Sequence, residues 1–312
     1  MSKKKRTWPP LAQPLPAAVT DNHTHLPLHE GEIPAASGVK MGLDEQLQRA
    51  LNVGVKRIIT VACELPDFVP ALQQAKDLRN KTETHPAVRL ALAIHPNEAP
   101  LHAGVIEQAP DGMTYQPQAH HVPLDEALAQ VEQHLDSPEV VAVGETGLDL
   151  YRTAEAGLAA QQESFSAHLK LGMERNLPVQ IHDREAHEQC VNALYRTGAD
   201  KTDIPIVFHC FSGGMQLAQE CAKNGWYASF GGSLTFKPNE AQRDAFKSLP
   251  RNQILIETDA PYLTPVPYRG NPNASYVMTH TIRFIADLWE ETLENTCEQL
   301  ERNTEQVYGK WF

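Results

Sequence analysis

Short runs of valine, isoleucine, leucine and alanine alternate along this chain with segments whose apolar positions recur every three or four residues. Eight runs stand out, at residues 18–26 (AVTDNHTHL), 57–63, 89–96, 140–148, 178–183, 205–211, 226–233 and 254–261. They are almost continuously apolar rather than alternating, which predicts parallel strands buried on both faces. The segments between them are amphipathic. LDEALAQVEQHL (124–135) sets Leu124, Leu128, Val131 and Leu135 on one helical stripe, and residues 165–177 do the same with Phe165, Leu169, Met173 and Leu177. An eightfold strand–helix alternation predicts the α/β class as a single-domain (β/α)8 TIM barrel, closed by a helix within 274–300.

Two segments break the pattern. Residues 1–17 are basic and then proline-rich, which reads as a flexible or polyproline-like arm before a barrel spanning 18–312. Residues 97–122 form a long polar stretch without a period. Because it follows the third strand, a barrel places it on the active-site face, as a lid, a substrate wall or a plain surface insertion.

Composition narrows the class of function. A net charge of -12 argues against a broad basic surface for coating nucleic acid, though not against a site that touches a few phosphates. Five scattered cysteines without a C-x-x-C pair predict free thiols in a reducing compartment. Cys210, if on a strand, would face away from the neighbouring His209. No apolar run approaches the roughly 18 residues of a membrane helix, and prolines interrupt any secretory h-region, so a soluble cytoplasmic protein is expected. Nothing marks an oligomer interface, which leaves a monomer as the default.

Candidate chemistry sits at the ends of the strands. The first ends in His23 and His25, the third in His95, the fourth in Glu145, the fifth in His182, the sixth in His209 and the eighth in Asp259. Singly, each reads as well as a turn or cap residue. Jointly, they would project into one barrel mouth. Residues i and i+2 of a strand share a face, so His23 and His25 can clamp one ion. Four histidines and two carboxylates exceed a single tetrahedral zinc but suit two divalent cations (Zn, Mg, Mn or Ni) sharing a carboxylate. Glu145 is the natural bridge. One cation would take His23, His25, Asp259 and Glu145, and the other Glu145, His182 and His209. Asp259 could also take a proton from water as general base.

The motifs D-x-H-x-H, VGETGLD, the Ile181-His182 pair, HCFSGG and ETDAPYLTP, in this order from about residue 18 to the end, resemble those of the TatD family of metal-dependent hydrolases. The resemblance implies a TIM barrel, divalent metals and phosphodiester hydrolysis, with 3′–5′ exonuclease-like action on DNA. It also implies that His23, His25, Glu145, His182, His209 and Asp259 are metal ligands, and that His95 meets substrate phosphate or orients a ligand. The chain departs from the family at Asn97, where a second histidine is usual. It departs again at Arg269-Gly270-Asn271-Pro272-Asn273, which keeps Arg269 and Asn273 for substrate but lacks a second cation. A deoxyribonuclease acting on single strands or DNA ends is therefore the leading expectation. A hydrolase of a cyclic amide, an ester or an aminoacyl-tRNA linkage using the same site is the alternative, and a non-catalytic metal-binding protein the third.

Overall fold

The computed structural model describes residues 6–79 and 81–311. The eight strands appear where the apolar runs predict them. They are β1 (Val19–Thr24), β2 (Val55–Ala62), β3 (Ala87–Leu92), β4 (Val140–Asp149), β5 (Val179–Arg184), β6 (Ile206–Phe208), β7 (Tyr227–Phe230) and β8 (Ile254–Ile256). They pair in parallel, in chain order, as one eight-stranded sheet. At the seam, the Asn22 side-chain amide donates to Ile256 O at 2.9 Å, and Asp259 N–H donates to His23 O at 3.0 Å. The sheet thus closes into a TIM barrel, and the closing bonds join the first and last site motifs.

The ten α-helices of the described residues flank this sheet. The stripe at 124–135 is α4 (Leu124–Leu135), which buries Leu124, Ala127, Val131 and Leu135 and carries Asp125 and Glu126 in its first turn, where the helix dipole favours acids. The second stripe lies in α5 (Glu155–Arg175), which starts ten residues before the predicted span and stops at Asn176, whose φ of 52° is left-handed. Leu177 is therefore outside it. The expected single closing helix is two, α9 (Met278–Trp289) and α10 (Leu293–Tyr308). Glu290 turns left-handed between them, and the Thr292 hydroxyl accepts from Asn295 N–H at 3.2 Å to start the second.

A small apolar cluster of Ile59, Val61, Ala91, Ala142, Val207 and Leu255 fills the barrel, with Val307 and Tyr308 of α10 packed against it. Tyr308 OH accepts from the Gln180 amide at 2.9 Å, near the start of β5, so α10 plugs the end away from the mouth. The described part of the expected arm is held to the barrel. Leu15 N–H donates to Val53 O at 2.9 Å, Tyr276 OH donates to Pro9 O at 2.6 Å, and Leu15 joins the core. Residues 1–5 of that arm lie outside the described residues. No helix among the described residues is long and apolar enough to cross a membrane.

Residues 97–122 contain one short helix, α3 (Ala99–His102), and a bridge between Gln108 and Thr114. Glu107 accepts from Ala154, Ala156 and Gly157 N–H at 2.8–3.1 Å, tying the segment to the N-terminus of α5. The segment is thereby a wall of the mouth rather than a detached insertion.

Candidate metal centre

The mouth holds a cavity of about 1200 Å³, lined among others by His25, His95, Glu145, His182, His209 and Asp259. Glu145, from β4, is buried at its centre. Its Oε1 lies 2.5 Å from His182 Nδ1, 2.8 Å from His209 Nε2 and 3.4 Å from His95 Nε2. Its Oε2 faces His23 Nε2 at 3.5 Å and His25 Nε2 at 3.8 Å. Asp259 Oδ1 lies 3.6 Å from His25 Nε2 and 3.9 Å from His23 Nε2. Six residues, on or just beyond β1, β4, β5, β6 and β8, thus converge on one mouth.

Tautomers follow from the partners. The Gln180 amide nitrogen donates to Asn22 O and Tyr308 OH, so its oxygen must face His23 Nδ1, at 2.9 Å. His23 Nδ1 therefore carries the proton. Its Nε2 lone pair points between Glu145 and Asp259, buried and without a hydrogen-bond partner. An orphaned imidazole nitrogen between two carboxylates fits a divalent cation and fits little else. His95 behaves differently. Its Nδ1 accepts from Asn97 N–H at 3.0 Å, which leaves Nε2–H as a donor toward Glu145. His95 is thus set to donate to an anion rather than to ligate a cation.

The electrostatics agree. Burial opposes ionisation of Glu145, but His209, His95 and the His182 hydrogen bond hold it well below the usual carboxylate range. Burial likewise opposes ionisation of Asp259, and His25, His209 and His23 outweigh it. Burial would lower His182, yet its bonds to Asp149 and Glu145 push it up to about 9. His ligands of this kind are commonly oriented by a second carboxylate, and Asp149 Oδ2 does this at 3.1 Å from His182 Nε2.

Several groups here escaped sequence reading. Glu257, fully buried, accepts from Cys210 N–H at 2.6 Å and lies 3.6 Å from His209 Nδ1. Its motif, ETDAP, was legible, but its orientation was not. Asp21 accepts from Thr258 N–H and from the Thr258 hydroxyl at 2.9 and 2.7 Å, holding the residue before Asp259. Burial, only partly offset by those bonds, raises Asp21 to about 7.

Other expectations change. Cys210 does not face away. It lies beyond the end of β6 with a left-handed φ of 45°, which turns it into the cavity wall. Burial and the nearby Asp259 and Glu257 carboxylates push its thiol well up, so it stays protonated. Arg269 does not line the cavity: it is exposed, with its guanidinium 4.2 Å over the Phe236 ring. Asn273 does line it, but its amide nitrogen donates to Thr258 O and Tyr262 O, at 3.1 and 2.6 Å, and its oxygen accepts from Ala274 N–H. It braces the loop carrying Asp259. A second group, Glu98, His120 and His121, includes Glu98 of the wall. His121 Nδ1 accepts from Gln118 N–H at 2.7 Å, so its Nε2–H donates to Glu98 at 2.8 Å and braces that carboxylate.

Behind the wall, His168 of α5 accepts Ile94 N–H at Nε2 (3.1 Å) and donates from Nδ1 to Ser164 O (2.7 Å). Accepting at Nε2 needs the neutral ring, and burial pushes its pKa down from 6.5 to about 4. The unfolded chain binds this proton below about pH 6.5 and the folded chain does not, so stability is full above that value. It falls as pH drops toward 4, by about 3 kcal/mol in all. Urea unfolding at about pH 7 and about pH 4.5 should show His168→Gln losing less stability over this interval than the parent. Equal losses would assign the acid sensitivity elsewhere.

Histidine and carboxylate donors converging on the mouth of a parallel eight-stranded barrel define the class: a hydrolase that depends on bound metal. The chain belongs to the family described as TatD related DNase, whose model matches residues 20–309. It is 31% identical over 297 residues to the metal-dependent hydrolase TatD of Mycobacterium tuberculosis, covering 93% of this chain and 98% of that one. It is 31% identical to the metal-dependent hydrolase YabD of Bacillus subtilis, covering 92% and 98%. The crystal structure of YjjV, a TatD homolog from Escherichia coli, superposes with a TM-score of 0.74 at 28% identity, covering 94% of this chain and 98% of that one.

Proposed function

We propose that this enzyme hydrolyses phosphodiester bonds in single-stranded DNA or at DNA ends, using two divalent cations that share Glu145. The observation that carries this reading is the central, buried Glu145, whose two oxygens face different sets of imidazoles while His23 Nε2 stands unpartnered beside it. His23, His25 and Asp259 would hold one cation with Glu145, and His182 and His209 the other. Bound there, the cations would acidify a water molecule and offset phosphoryl charge. Asp259, kept ionised, can accept the proton of the attacking water. His95 Nε2–H can donate to a phosphoryl oxygen, adding charge stabilisation. The family description names DNases. A phosphotriesterase homology protein of Escherichia coli, with phosphate in its active site, shares the fold at a TM-score of 0.59 and 14% identity.

A second reading, hydrolysis of an ester or amide, draws support from the carboxylates that crowd part of the cavity wall. One experiment separates the two. Protein stripped by chelator and reloaded with Mg, Mn, Zn or Ni is offered labelled single-stranded DNA and a panel of small esters and amides. The expected result is DNA cleavage that vanishes with chelator and returns with metal. Turnover of an ester or amide with DNA left intact would transfer the assignment to the second reading.

A further inference from the structure

The arginines lining the cavity stand on one side of it, where the accompanying Asp149 and Asp183 are each engaged by an imidazole, His182 at 3.1 Å and His187 at 2.7 Å. Of the described residues on its wall, Arg152 and Arg184 are the two permanent cations; Arg152 follows β4 and Arg184 is the last residue of β5. Glu32, Glu64, Asp67 and Glu98 line the wall after β1, β2 and β3, where no lysine or arginine accompanies them. Burial and then the neighbouring Glu98 and Asp67 charges raise Glu64, as expected where acids lack a cation.

Both arginines are pre-positioned beside the metal centre. Arg152 N–H donates at 2.8 Å to Asp149, the same carboxylate that meets His182. Its Nη1 donates to Tyr115 OH at 2.7 Å, and its Nε lies 3.8 Å from Asp111, so the 97–122 segment holds this side chain in place. Arg184 lies two residues after His182. Its guanidinium stacks 4.0 Å over the Tyr151 ring, and no carboxylate pairs with it among the described residues. A stacked guanidinium free of carboxylate partners is suited to grip phosphate through its planar fork of donors.

We propose that Arg152 and Arg184 form the subsite for the phosphate next to the scissile bond. A single strand then leaves the cavity across β4 and β5. Glu32, Glu64, Asp67 and Glu98 repel phosphate on the other side, so the cut falls near one end of the strand. This rests on the phosphodiester reading above and adds its direction. A second phosphate on the acidic side would meet like charges at close range, whereas on the arginine side it meets two cations.

The test uses the metal-loaded enzyme, a fluorescein-labelled oligothymidylate, and bis(p-nitrophenyl) phosphate, which has a scissile phosphate but no neighbour. Arg152→Gln and Arg184→Gln should each raise KM and Kd for the oligothymidylate about tenfold. Each should flatten the salt dependence of log Kd by about 0.7. The preference for oligothymidylate over bis(p-nitrophenyl) phosphate, as a ratio of kcat/KM, should fall about tenfold as well. A Glu64→Gln/Glu98→Gln double variant should begin to cut circular single-stranded DNA that the parent leaves intact. Unchanged Kd in both arginine variants, or equal losses on both substrates, would overturn the subsite. A parent enzyme that cuts circles would overturn the acidic exclusion. A parent that binds oligothymidylate through these arginines yet cleaves neither substrate would remove the phosphodiester reading and keep the subsite. A parent that does neither removes both.

Discussion

Glu145→Ala is expected to remove both bound metal and turnover, lowering kcat by roughly four orders of magnitude, or about 5 kcal/mol of barrier. Glu145 has contacts in both proposed ligand sets: His182 and His209 meet its Oε1, and His23 and His25 face its Oε2. Loss of a single histidine would thin one set, whereas loss of Glu145 takes the shared donor from both. The variant also leaves His182 and His209 buried without the carboxylate that holds their protons, which destabilises the metal-free protein. Glu145→Gln separates the two effects, since the amide keeps an acceptor for the histidines but not the charge that holds cations. Elemental analysis, kcat and urea unfolding on both variants check this. Full metal content in Glu145→Ala would show that Glu145 is not the shared ligand.

Gly147→Ala is expected to cost about 4 kcal/mol of stability, combining overpacking with left-side backbone strain. Gly147 pairs with His182 in the β4–β5 register, at a φ of 145°. A Cβ there would lie 2.1 Å from His182 O and 3.0 Å from His182 C, which are backbone atoms with no freedom to swing aside. The two strands must part, and the parting moves His182 away from Glu145. Thermal unfolding should show a midpoint lower by several degrees, with weaker metal retention in the folded fraction. A variant with the parent's midpoint and metal content would mean that β4 and β5 can separate without disturbing the centre.

Both predictions bear on how much of this protein is readable before folding. The eight strands were legible because a parallel strand buried on both faces leaves a nearly continuous apolar run. The convergence of the candidate ligands was legible because a barrel delivers strand-end residues to one mouth wherever they stand in the chain. The helix after α4 was legible as a stripe, but its start was not, since Glu107 caps it from a different segment. The break between α9 and α10 turned on a left-handed Glu290 that no periodicity marks.

The substrate wall was the least legible part. Arg269 looked like the phosphate cation because it stands in a family-like motif, yet its loop carries it outward onto Phe236. Arg152 and Arg184, just beyond the VGETGLD and Ile181-His182 motifs, line the cavity instead. Gln180, Asp149 and Glu257 likewise gain their roles only from partners far away in the chain.

By itself, then, the sequence determined the barrel, the strand ends and the donor atoms offered to metal, because these depend on local periodicity and on residue chemistry. Tertiary structure alone decided which histidine nitrogen carries a proton, which cysteine turns inward and where the arginines lie. Those outcomes depend on hydrogen bonds and charge contacts between residues brought together only when β8 closes against β1.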